Sequence, residues 1–145
     1  MKFQLTLMAL LIITMVAPAQ DQHRWKPLLL NANDKLWYDA SNLDTANTQV
    51  MNVWILQLHK PPLQFEGISG DVYRSKTLYT IDMTTVKYGI AKVVYFDVEN
   101  KEIYSYDYEL ESAPLEIRFP YPVLEGSFMN EVIKEYFKLK GESIK

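Results

Sequence analysis

The sequence predicts an α+β domain: an antiparallel meander of about five to six strands with one C-terminal helix packed on one face. Three observations carry this. From Ser75 to Glu109, apolar and polar residues alternate in runs separated by short polar turns, and six of the ten tyrosines lie there. Between Thr48 and His59 lies a longer apolar stretch, TQVMNVWILQLH. Near the C-terminus, Phe128, Met129, Val132, Ile133, Tyr136 and Phe137 recur at spacings of three and four, which is one face of a helix.

The chain opens MKFQLTLMALLIITMVAPAQDQ. Lys2 followed by the apolar run Leu5–Val16 and the small residues of Ala17-Pro18-Ala19 has the order of a signal peptide cut before Gln20. The run is shorter than the roughly 20 apolar residues a membrane-spanning helix needs. Residues 20–145 are then expected to form a single exported domain, periplasmic or at the cell surface, without a transmembrane anchor. Removing residues 1–19 leaves 126 residues with 14 basic and 18 acidic side chains, a net charge of −4. That acidity argues against a nucleic-acid partner, which calls for a basic stripe. There is no cysteine, so stability has to come from burial rather than cross-links.

Along the mature chain, Trp25–Leu30 reads as a first strand, and Pro27 inside it points to a sheet edge or to a later start of the strand, because proline donates no ladder bond. Asn31–Asp34 is a turn, KLWYD at 35–39 a second strand, and Asp39–Asp44 another turn or a single helical turn. The 48–59 strand carries Val50, Trp54, Leu56 and Leu58 on one face and Met51, Val53 and Ile55 on the other, as a central strand does. Lys60–Asp71, with paired prolines and two glycines, reads as the longest loop. The meander follows: a strand through Tyr79, Ile81 and Met83, a second over Lys87–Asp97, a hairpin at Val98–Lys101 and a return over Ile103–Glu109. Ser112–Glu125 holds three prolines and reads as extended chain crossing the domain. The helix spans Ser127–Lys140, capped by Ser127 and ended by Gly141.

Catalytic motifs are scarce. Without cysteine there is neither a thiol nucleophile nor a zinc–thiolate site, and no HExxH, GxSxG, P-loop or GxGxxG pattern occurs. His23 falls in what reads as a loose terminus. His59 either ligates a metal or haem or, more simply, ends a strand facing water. Asp39, Asp82, Asp97 and Asp107 lie in or beside strands, where two meeting across a ladder would make the carboxylate pair of a hydrolase; for Asp39 and Asp97 the simpler reading is that they end strands by bonding local backbone amides. Tyr104, Tyr106 and Tyr108 alternate and so share a strand face. They form a binding row for carbohydrate, a planar small-molecule ligand or a protein partner, or they pack beneath the helix or the extended segment. Together with His59 and the loop residue Phe65 they are the candidate binding residues. No catalytic residue, metal ligand or cofactor is assigned.

The order Trp25, Trp37-Tyr38-Asp39, Val53–Leu56, Ser75–Asp82, the tyrosine-rich hairpin and a Ser-capped C-terminal helix resembles the surface-adhesin protein E-like family of bacterial exported domains. The resemblance covers nearly all of the mature chain. It implies an antiparallel sheet with a packed helix, self-association and a binding role. It also implies that Met83 and a residue near Tyr136 or Phe137 stand where the family carries two cysteines, exchanging a cross-link for packing.

The resulting expectation is an exported, non-enzymatic binding domain, a candidate homodimer. One helix cannot cover both apolar faces of the sheet, so the binding surface is expected opposite the helix. The alternatives are a structural or periplasmic stability protein without a ligand and, third, the hydrolase.

Overall fold

The computed structural model describes residues 23–30, 35–41, 43 and 49–141. The expected signal peptide, its cut before Gln20 and the 31–34 turn lie outside them. The α+β architecture holds: a seven-stranded antiparallel sheet with a C-terminal helix. Its strands are β1 (Trp25–Leu30), β2 (Lys35–Asp39), β3 (Val50–Leu63), β4 (Val72–Asp82), β5 (Lys87–Phe96), β6 (Glu102–Asp107) and the two-residue β7 (Tyr121–Pro122). The first six lie in chain order across the sheet, and β7 pairs with the free end of β5.

β1 is an edge, one of the two outcomes Pro27 leaves open, and its register slips between Pro27 and Leu29. β3 is central and longer than expected, because it runs on through Pro61 and Pro62 until Leu63 pairs with Val72. The loop is therefore confined to residues 64–71. At the 97–101 hairpin, Asp97 accepts the backbone amides of Glu99 and Lys101, both at 2.9 Å, and Asn100 adopts φ 69°. Asparagine tolerates that left-handed conformation better than most residues.

The C-terminal helix, α2 (Phe128–Leu139), starts where Ser127 accepts the Asn130 amide at 3.2 Å. Its Met129, Val132, Ile133 and Tyr136 pack on Leu36 and Tyr38 of β2, Met51, Val53 and Ile55 of β3, and Ile81 of β4, forming the core. Met83 and Phe137 are partly buried against this same cluster. The helix N-terminus lies over β4, with the Phe128 and Tyr79 rings 5.6 Å apart, and Glu135 accepts the Tyr38 hydroxyl at 3.1 Å. Burial, with this carboxylate next to it, pushes the Tyr38 phenol up to about 12.

The 112–125 segment departs from the expected extended chain. It forms a 3₁₀ turn (Leu110–Ser112), a one-turn helix α1 (Leu115–Arg118) and β7. Phe119 is buried, and the Arg118 carbonyl lies so close to Gly89 of β5 that a Cβ there would sit 2.0 Å from its oxygen. Pro114 is the N-cap of α1, outside the helical hydrogen-bond ladder, where its missing N–H costs nothing. This strap covers part of the face opposite α2, so that face is less bare than the single long helix implies. Among the described residues no helix is long and apolar enough to cross a membrane.

Candidate functional site

Strand register decides which side chains share a face. Opposite the helix side stand Trp25, Trp37 and Trp54, together with Leu56, Lys76 and Leu78. On the helix side, Ile81 pairs with Tyr88 and Tyr79 with Ile90. Past the irregularity at Ala91, Thr77 pairs with Val93 and Ser75 with Tyr95. Val93 and Tyr95 pair in turn with Tyr106 and Tyr104. The tyrosine row therefore lies on the same side as α2, so it does not form the surface expected opposite the helix.

The row is nonetheless exposed, with Tyr104 at 38%, Tyr106 at 50% and Tyr108 at 47%. Geometry explains both facts. At 1.5 Å per residue α2 is about 18 Å long, whereas six strands about 4.8 Å apart span about 24 Å between the outer two. The helix runs over β1–β4 and leaves the β5–β6 end open.

That end is a groove made of two adjoining recesses of 600 and 220 Å³, which share Val93, Tyr95 and Tyr108. Phe65, from the 64–71 loop, stacks on Tyr95 at 5.1 Å between centroids and 11° between planes. Tyr95 continues to Tyr104 at 6.0 Å and 24°, and Tyr106 meets Tyr108 edge-on at 4.8 Å. Burial, then the neighbouring phenols of Tyr108 and Tyr104, raises the Tyr95 hydroxyl above its ordinary range. His59 lines the smaller recess, its Nε2 2.9 Å from Ser75 Oγ, and burial pulls its imidazole below the usual histidine value. All five candidate residues thus line one continuous surface, which couples flat aromatic faces to a polar end.

The strand aspartates do something simpler. Asp39, Asp82, Asp97 and Asp107 each accept the backbone amide two residues ahead, of Ser41, Thr84, Glu99 and Glu109. These are turn caps of the Asx type. Among the described residues no group of three His, Asp or Glu side chains is placed to hold a metal ion.

Sequence reasoning missed one cluster on the tryptophan side. His23, read as part of a loose terminus, is partly buried and bonds through Nδ1 to the carboxylate of Asp39, while Lys76 Nζ lies 2.5 Å from its Nε2. The tautomer with hydrogen on Nδ1 satisfies both contacts. The ammonium of Lys76 also stands over Trp54 at 4.7 Å and Trp25 at 5.9 Å, a cation–π arrangement. A period-2 pattern puts Asp39 and Trp37 on one face, but nothing local announces a partner 37 positions further along the chain.

Comparison with family models, with curated proteins and with solved structures finds no match to this chain.

Proposed function

We propose that this protein is an exported, non-enzymatic binding domain of the bacterial envelope or cell surface that self-associates through its aromatic groove. The observation that carries the reading is the groove itself: Phe65, Tyr95, Tyr104, Tyr106 and Tyr108 present ring faces and edges at the open β5–β6 end of the sheet. Tyrosine at such a site supplies large contact area with few rotors to freeze and a hydroxyl for the partner. The order of residues 1–19 supports export, as does the resemblance to the surface-adhesin protein E-like family. The turn-capping role of the four aspartates removes the main argument for a carboxylate-dependent hydrolase.

The test is sedimentation equilibrium of the mature chain and of Tyr106→Ala, with thermal unfolding alongside. Tyr106 is half exposed, so its loss should weaken association by at least about 1 kcal/mol and leave the melting temperature nearly unchanged. A strictly monomeric wild type, with a Tyr106→Ala variant that loses only stability, would overturn the reading in favour of a structural role.

A further inference from the structure

A second cleft, of 640 Å³, lies on the other face of the sheet, between its central strands and the 109–118 strap. Its size falls within the range of about 300–1,000 Å³ usual for small-molecule sites. Asn52, Thr80 and Lys92 project from β3, β4 and β5 into it, and the strap contributes Glu109, Glu111 and Arg118, with Asp107 at the end of β6.

Two properties set it apart from an incidental gap. The first is its charge. Two cations and three carboxylates line it, and none of the five forms an ion pair, although Lys92 and Asp107 are register partners across the ladder. The second is an unmet demand for hydrogen bonds. Thr80 is only 2% exposed and its hydroxyl has no partner, and neither has the enclosed Nε of Arg118. These two residues are neighbours, because Thr80 pairs with Gly89 and the Arg118 carbonyl presses on Gly89. Enclosed polar atoms without partners are unfavourable, and folded chains retain few of them.

We infer that this cleft binds a small zwitterion of the amino-acid or short-peptide class. Its carboxylate sits on Arg118 and Lys92, and its ammonium lies toward Asp107, Glu109 and Glu111. A guanidinium fork matches a carboxylate, and the three carboxylates lining the same cleft disfavour a simple anion. No aromatic ring lines the cleft, so it lacks the flat platform a sugar or planar ligand would use. Asn52 adds a side-chain amide, suited to the peptide group of a dipeptide. This site is independent of the aromatic groove, and either can fail without the other.

The experiment is a titration of the ¹⁵N-labelled mature chain, followed by NMR, with three probes: alanyl-alanine, its N-acetyl derivative and its C-terminal amide. Alanyl-alanine should give saturable shifts at the amides of Thr80, Lys92 and Glu111. Each blocked derivative should bind at least about tenfold more weakly, about 1.4 kcal/mol. Arg118→Gln should weaken alanyl-alanine by a similar factor. If that variant loses its dispersed spectrum, Lys92→Gln, on the half-buried β5 position, should show the same weakening with the fold intact. Absence of saturable shifts, equal binding of either blocked derivative, or unchanged affinity in a folded variant would overturn the proposal.

Discussion

Asp39 shows how one side chain ties distant parts of this chain together. Its residue is 5% exposed, yet it accepts bonds from His23, from the Arg24 amide at 2.9 Å and from the Ser41 amide at 2.9 Å. Burial alone would raise its carboxyl, but the bonds from His23, Ser41 and Arg24 outweigh that and hold it below the ordinary value. The sign follows from linkage: the unfolded chain binds this proton more readily than the folded one. The stabilisation is complete above the unfolded value of about 3.9 and is lost as pH falls from there through the lower folded value. Asp39→Asn should therefore cost about 1.5–3 kcal/mol at pH 7, the range for hydrogen bonds to a charged group. Its stability should also fall less steeply than the wild type's below pH 4, which urea unfolding at several pH values would show. An equally steep acid limb in the variant would assign the acid sensitivity to other carboxylates.

At the scale of the element, the strap is the segment whose fit is most demanding. It reaches the sheet only because position 89 has no Cβ: the Arg118 carbonyl carbon would be 3.1 Å, and its oxygen 2.0 Å, from one. Backbone on backbone cannot yield as a flexible side chain does. Gly89→Ala should thus lift the strap, lower stability by about 1–3 kcal/mol, as overpacking does, and speed amide hydrogen exchange over residues 110–118. Unaltered exchange there would mean that the contact is absorbed within β5. The helix α2 behaves more predictably, because its cap, its apolar stripe and its Gly141 terminator are all local properties of its own sequence.

For the whole molecule, the two faces of the sheet are closed by different means. One is packed under α2 and left open at β5–β6; the other is covered by the strap at one end. At its opposite end stand three half-buried tryptophans, with Lys76 laid over two of them. A long amine stem can cover apolar surface while its charge stays near polar groups. The first described residues tie the start of β1 to the chain leaving β2. Arg24 Nη2 donates to the Ala40 carbonyl at 2.6 Å, and the Ala40 amide donates to the Arg24 carbonyl at 2.9 Å. A chain beginning at Gln20 keeps residues 23 and 24 and with them this clasp. A chain beginning at Trp25 should lose at least about 2 kcal/mol, several such bonds together with a charged one, measurable as a lower urea midpoint. Equal midpoints would mean that residues 23 and 24 add nothing to stability.

What the sequence determined by itself was whatever repeats within a few residues. The alternation in 75–109, the edge proline of β1, the extents of β1 and β2 and the capped helix were all legible, since side-chain period and backbone chemistry are local. The five candidate residues were legible as types of side chain, and the three tyrosines as one row. Which side that row faces was settled only by the register passed from β4 through the irregularity at Ala91 to β6. A single extra residue exchanges every face beyond it, and no local pattern fixes where it falls. The His23–Asp39–Lys76 cluster and the strap against Gly89 likewise exist only in three dimensions. Each joins residues far apart in the chain, whose meeting depends on how the sheet twists and on which segment reaches its face first.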